Sequence, residues 1–238
     1  MMRPIEICPR SIKGAISAGL IAGIAFSGIA HAQKVSHSAW VKLCEKTSLS
    51  GVNKAGKSQT ITKNICLTHH ERIGGNTGMV IVSAAIRQVE GEKRQSLMVM
   101  VPLGMALRPG VKAAVYTKEQ WARAQKKERV KDDELKPLSF EYSLCHAAGC
   151  TAEIEAPEGL TDDMAKGGGL MVLSRNADGQ AIAFPIPLAG FKEAHNGPPV
   201  DNAKYTAARK NLMIAIRNRM RAQLAKSATS DTQPKKTE

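Results

Sequence analysis

The sequence predicts a mainly β protein: an antiparallel β-sandwich followed by one C-terminal amphipathic helix. Three observations predict it. Short apolar runs recur between Gly- and Pro-marked turns across residues 79–186. No helical pattern separates them regularly, so neighbouring strands pair as hairpins rather than through helical crossovers. A segment of helical periodicity with cationic flanks follows the last run. Hydrophobic content of 43% in 238 residues is enough to bury a core, which excludes a chain disordered throughout. An α+β domain is the competing class, because Ala-rich runs such as Val82–Arg87 also read as helical.

The N-terminus reads as an export signal over residues 1–32. Arg3, Arg10 and Lys13 form a basic leader, and an uncharged run from Gly14 to Ile29 follows. That run ends at Ala30-His31-Ala32, a small-x-small cleavage pattern. A permanent anchor is the alternative, but the run is short of the roughly 20 apolar residues that cross a bilayer, and it is rich in Gly and Ala. Cleavage after Ala32 removes three basic residues and Glu6 from a chain of formal charge +13, leaving +11. It also removes Cys8. Four cysteines remain, Cys44, Cys66, Cys145 and Cys150.

An even cysteine count in an exported chain points to disulfides. Three connectivities are open, and we favour the two local ones, Cys44–Cys66 and Cys145–Cys150. On a chain-entropy argument they contribute about 3 and about 2 kcal/mol. A redox-active site is the sharper alternative, yet Cys-x4-Cys is not the Cys-x-x-Cys spacing that depresses a thiol pKa.

The strand candidates run in order. Met79–Arg87 and Ser96–Val101 flank polar residues 88–95 as a hairpin. Val111–Tyr116 follows the Arg108-Pro109-Gly110 turn. Phe140–Cys145, Cys150–Ile154, Leu170–Ser174 and Ala181–Ile186 come next, the last two separated by the turn Asn176-Ala177-Asp178-Gly179. Between them, the charged stretch Lys118–Asp133, with Trp121 its only aromatic residue, reads as an exposed insertion or solvated helix. These elements make a sandwich domain over residues 33–195.

Residues 196–238 make a basic tail. Gly197-Pro198-Pro199 breaks the chain, and Asp201 or Asn202 can cap a helix running to Lys226. Tyr205, Ala208, Leu212, Ile216, Met220 and Leu224 form an apolar stripe. Arg209, Lys210, Arg217, Arg219, Arg221 and Lys226 supply cations for contact with an anionic surface. Such a helix lies in a membrane interface or packs back on the sandwich; the pattern favours packing. Polar residues 227–238 read as a disordered end.

Several local patterns together resemble the invasion-associated locus B (IalB) family of exported bacterial envelope proteins. They are Trp40-x-x-x-Cys44, the second cysteine Cys66, and Val101-Pro102-Leu103-Gly104 running into Leu107-Arg108-Pro109-Gly110-Val111. Further on come Cys145-x-x-x-Gly149-Cys150 and Pro187-Leu188-Ala189-Gly190-Phe191-x-x-Ala194. The resemblance implies an immunoglobulin-like β-sandwich in the periplasm or at the outer membrane, and an association with host-cell invasion. It supplies no catalytic residue. The charged insertion and the basic tail depart from the family's compact form.

Other constellations carry less. His69-His70-Glu71 suggests a metal set, but adjacent residues on a strand point to opposite faces, so both histidines cannot easily bind one ion. With His146 and His195 a site needs tertiary folding, and the expectation is solvent-exposed histidines. Gly74-Gly75-Asn76-Thr77-Gly78 lacks the Gly-Lys-Ser/Thr ending of a phosphate loop and reads as a turn. Gly167-Gly168-Gly169 reads as a flexible connection. No nucleophile elbow or paired-carboxylate motif appears, so we expect no enzymatic activity, no cofactor and no bound metal.

The charge is the main functional clue. A chain at +11 is drawn to lipid head groups, lipopolysaccharide phosphates or acidic glycans. Aromatics at 4% weigh against a base-stacking platform, so no nucleic-acid partner is expected. The reading is a non-enzymatic interaction module of the envelope, associated with host-cell invasion or surface integrity. The alternative is a periplasmic enzyme or metal-binding protein using His69, His70 and Glu71.

Overall fold

Alternation of buried and outward residues builds the centre of the molecule. In β3 (Val80–Val89), Val82, Ala84 and Ile86 are buried; in β4 (Gln95–Val101), Leu97, Val99 and Val101 are. Each buried set lines one face of a pleated strand, so the two strands form half of a sandwich. A computed structural model describes residues 40–52 and 56–230. The expected signal peptide, residues 1–32, and the tail end, residues 231–238, lie outside them.

The other elements are β1 (Val41–Val52), β2 (Ser58–Ile73), β5 (Val111–Tyr116), α1 (Lys118–Gln125), β6 (Leu138–Phe140), β7 (Tyr142–His146) and β8 (Gly149–Glu155). They continue with α2 (Leu160–Lys166), β9 (Gly169–Arg175), β10 (Ala181–Pro187), α3 (Phe191–Asn196) and α4 (Asn202–Ser230). All strand pairs are antiparallel. One sheet runs β1-β2-β3-β4-β8-β7 and the other β10-β9-β5-β6. One apolar cluster joins Val82, Ile86, Leu97 and Val99 of the first sheet to Val111, Leu170, Val172 and Ile186 of the second. The mainly β, antiparallel sandwich with a C-terminal helix is therefore the observed fold.

Three expectations change. The single strand Phe140–Cys145 is two strands, β6 in one sheet and β7 in the other, meeting at Glu141. Phe140 and Tyr142 both point inward while the chain changes hydrogen-bonding partners, and the Tyr142 hydroxyl lies 2.7 Å from Ser174 Oγ on β9. Next, β1 and β2 form a long hairpin that no apolar run announces. Its distal half, Ser50–Val52 and Ser58–Thr62, is exposed on both faces and has no core-facing side to alternate. Finally, Gly167-Gly168-Gly169 is a packing site rather than a flexible link. A Cβ on Gly168 would fall 2.6 Å from Trp121 Cβ, and one on Gly169 would overlap the Trp121 indole.

Both local disulfides are present. Cys44 bonds Cys66 directly across β1–β2, and Cys145 bonds Cys150 across β7–β8. The charged insertion is α1, closed by a reciprocal Thr117–Gln120 capping box, followed by a segment folded back through Arg123 and Glu134. That segment lies over the outer face of the second sheet. Ala114 and Tyr116 point away from the core, yet they are only 7% and 8% exposed.

Candidate interaction surface

The chain leaves the sandwich along the edge of β1. Trp40 Nε1 donates to Pro187 O at 2.8 Å, and Lys42 Nζ donates to His195 O at 2.6 Å and Gly197 O at 3.1 Å. Past the Gly197-Pro198-Pro199 break, Val200 N donates to Lys42 O and Asn202 Nδ2 to Cys44 O. Asp201 then caps α4, its Oδ1 accepting from Lys204 N at 2.7 Å.

From there α4 crosses the outer face of the first sheet. The Tyr205 ring meets His69 edge-on at 5.4 Å. Arg209 forks onto Glu71, and Met213 and Ile216 rest against Gly78, where a Cβ would fall 3.2 Å from Met213 Cε. Gly78 belongs to the Gly74–Gly78 turn, closed by Gly74 N→Met79 O and Gly78 N→Gly74 O; the glycine run is a turn, as read. Ile216 is 9% exposed, whereas Leu212 is 47% and Leu224 68% exposed. The inward face therefore keeps Tyr205, Ile216 and Met220 of the expected stripe and adds Met213, while Ala208, Leu212 and Leu224 of that stripe are exposed. The helix axis is set by its anchors at Asn202 and Arg209 rather than by its most apolar line. It also runs four residues beyond Lys226, correcting the expected disorder of residues 227–230.

This placement sorts the cations. Residues 202–230 contain no Asp or Glu. Arg209 is held by Glu71, so it belongs to the docking of the helix. Lys210, Arg217, Arg219 and Arg221 are exposed and form no ion pair among the described residues. Lys210, Arg217 and Arg221, at i, i+7 and i+11, share one flank of the helix, while Arg219 and Lys226 share the other. The result is an exposed cationic flank on either side of the packed apolar face.

The histidines are not the exposed group the sequence implied. His70 is 2% exposed, its ring 5.4 Å from that of Trp40 on the core side. His69 points the other way and is half-buried under Tyr205. His195 stacks on Phe191 at 5.2 Å, its Nδ1 3.4 Å from Thr68 Oγ1. Of the four, His146 alone is exposed. Opposite faces of β2 keep His69 and His70 apart, and among the described residues no group of three His, Cys, Asp or Glu is placed to hold a metal ion. Burial under the helices is what sequence reasoning missed; Trp40 and Tyr205 at a distance in the chain gave no local signal. Elsewhere, two clefts of about 570 and 610 Å³ flank the charged insertion, one lined by Lys118, Glu134 and Lys166, the other by Tyr116, Asp132 and Met171.

The second half of the sandwich carries the remaining motifs, the Cys145–Cys150 hairpin and the Pro187–Phe191 turn into α3. Residues 122–199 match the family of the Invasion associated locus B (IalB) protein. The resemblance read from the sequence holds over this stretch, about a third of the chain. The Cys145 and Pro187 motifs fall inside the IalB match; Trp40, Cys44, Cys66 and the Val101–Val111 run lie before it. A crystal structure of invasion associated protein B from Bartonella henselae is similar at 17% identity and a TM-score of 0.44, over 65% of this chain and 94% of that one. No curated protein matches.

Proposed function

We propose that the chain is an exported bacterial envelope protein that binds anionic surfaces through α4 and serves the invasion-associated role for which the IalB family is named. The observation that carries the reading is the set of cations on the two flanks of α4, Lys210, Arg217 and Arg221 on one and Arg219 on the other, exposed, unpaired among the described residues and on a helix without one acidic residue. Two disulfides support an oxidising compartment, the periplasm or the outer membrane. The partner is phosphate- or carboxylate-bearing: lipid head groups, lipopolysaccharide or acidic glycans. Contact is electrostatic. The apolar face that would enter a membrane interface is occupied by His69, Gly78 and their neighbours, so the cations act from a docked helix. No catalytic step is part of this reading, and the alternative set His69, His70 and Glu71 is divided between two faces of β2.

Co-sedimentation with vesicles tests it. The full chain should pellet with vesicles containing phosphatidylglycerol and not with neutral ones, and binding should fall steeply with salt. Arg217→Gln, Arg219→Gln and Arg221→Gln together should abolish it without changing the melting temperature. Equal binding to neutral vesicles, or full binding by the triple variant, would overturn the proposal.

A further inference from the structure

While α4 packs on the first sheet, the second sheet has an outer face of its own. The solvent side of an antiparallel sheet is ordinarily polar. Here the outward positions of β9 and β10 carry Met171, Leu173, Ala181, Ala183 and Pro185, with Met171 opposite Pro185 and Leu173 opposite Ala183. Leu173 is 40% exposed. The stretch after α1 roofs part of this face. Its Leu135 and Pro137 look across a cleft of about 610 Å³ to Ala114 of β5 and Met171 of β9. Sites for small molecules have this size and this apolar lining, with a few polar groups that fix the ligand's orientation.

The charges of the cleft are sorted by end. Lys112 on β5 stands opposite Leu173, so Arg175, two residues on, is its diagonal neighbour on the same face, about 7–8 Å away. Arg175 Nη1 donates to Gly179 O at 2.8 Å, which holds the guanidinium at the β9–β10 turn. Neither cation forms an ion pair among the described residues. Tyr116 lies four residues along β5 from Lys112, about 13 Å. Asp132 belongs to that other end, where burial and then its charge raise the Tyr116 pKa. An occupant therefore meets two cations at one end, aliphatic side chains along its length and a carboxylate at the far end.

We propose that this cleft binds a free fatty acid, its carboxylate held by Lys112 and Arg175 and its acyl chain laid over Met171 and Leu173 beneath Leu135 and Pro137. Charge selects this occupant. A carboxylate takes hydrogen bonds from a guanidinium and an ammonium, both charge-assisted. A cationic amphiphile would set like charges together at Lys112 and Arg175, and a dicarboxylate would bring its second charge to Asp132. The apolar outward residues of β9 and β10 match an acyl chain and offer nothing to a sugar or a small inorganic anion.

Isothermal titration of the full chain with dodecanoate, below its micellar concentration, tests the proposal. One dodecanoate should bind per chain, acetate should not bind, and dodecyltrimethylammonium should bind at least about tenfold more weakly. Lys112→Gln with Arg175→Gln should raise the dodecanoate Kd about tenfold or more, the loss expected for a charge-assisted contact, and should leave the weaker binding of dodecanol unchanged. Leu173→Asn should weaken both ligands. The α4 variant carrying Arg217→Gln, Arg219→Gln and Arg221→Gln should bind dodecanoate like the wild type. Absence of saturable one-to-one binding overturns the proposal, as does full binding by the Lys112→Gln, Arg175→Gln variant. Loss of binding in the α4 variant would place the acyl anion on the helix, and tighter binding of dodecyl phosphate than of dodecanoate would put a phosphorylated lipid in the cleft; either result refutes the fatty-acid assignment.

Discussion

The Arg209 guanidinium forks onto both carboxylate oxygens of Glu71, Nε at 2.6 Å and Nη2 at 3.1 Å, and so ties α4 to β2. Glu71 holds the Arg209 pKa above its usual value. The arginine side chain is 42% exposed, and exposed pairs contribute only about 0.2–1 kcal/mol. The helix owes more of its attachment to Ile216, whose burial is worth roughly 1.5–3 kcal/mol.

Truncation after Asp201 should therefore lower the melting temperature by several degrees, at about 2–4 °C per kcal/mol for a chain of this size. Arg209→Ala should lower it by only one or two degrees. Scanning calorimetry distinguishes these outcomes. A truncated chain that melts like the intact one would show that α4 is not packed on the sheet.

Trp121 and Gly169 provide a second test. The indole fills the space a side chain at residue 169 would need. Gly169→Ala should destabilise by about 1–3 kcal/mol, as overpacking does. Pairing it with Trp121→Leu should recover part of the loss, because the two changes share one contact and are not additive. Equal losses in the single and double variants would mean the indole is not the obstacle.

How legible these features were depends on what each residue faces. From Val80 onward every expected strand but Phe140–Cys145, which is divided between the two sheets, read correctly, because residues such as Val82, Leu97 and Val172 face one shared core and impose a period of two. The β1–β2 ribbon did not read, because Ser50 and Thr60 face solvent and carry no such period. Glycine runs look alike in sequence whether loose or tight; Val115 and Leu188 against Gly167, and Trp121 against Gly168 and Gly169, make this run a contact, and all three are distant in the chain. The basic character of the tail was plain, but the docked face was not. Choosing between Leu212 and Met213 required the helix angle, and that is set by Asn202 and Arg209.

The two bridges should differ in both stability and access. Cys44–Cys66 spans 22 residues and Cys145–Cys150 only 5, so loop entropy assigns them about 3 and about 2 kcal/mol. Cys145 is exposed, while Cys44 and Cys66 are half-buried. Under limiting reductant, alkylation and peptide mapping should find Cys145 and Cys150 labelled first, with a small fall in melting temperature. Earlier labelling of Cys66 would reverse the assignment.

The docking site of the helices should also sense pH. His69 Nε2 is buried without a hydrogen-bond partner, and its ring is enclosed by Tyr205, Glu71 and Arg209. Burial holds its pKa below the ordinary value of about 6.5, with Arg209 adding to the depression and Glu71 opposing it. His195, between Phe191, Thr68 and Lys42, is depressed by burial and by Lys42, against a weaker pull from Asp162. In both, folding favours the neutral ring. Above about pH 6.5 the folded and unfolded chains are equally deprotonated at these sites, so stability there is unaffected. As pH falls below that value the unfolded chain binds protons first, and stability declines until the folded rings also titrate. The melting temperature should accordingly fall between pH 7 and pH 5, before most carboxylates titrate. His69→Phe keeps the contact with Tyr205, and His195→Phe keeps the stack on Phe191, while neither can take a proton. Together they should flatten most of that slope. A wild-type melting temperature constant across the window, or a slope unchanged in the double variant, would show that these two rings do not set it.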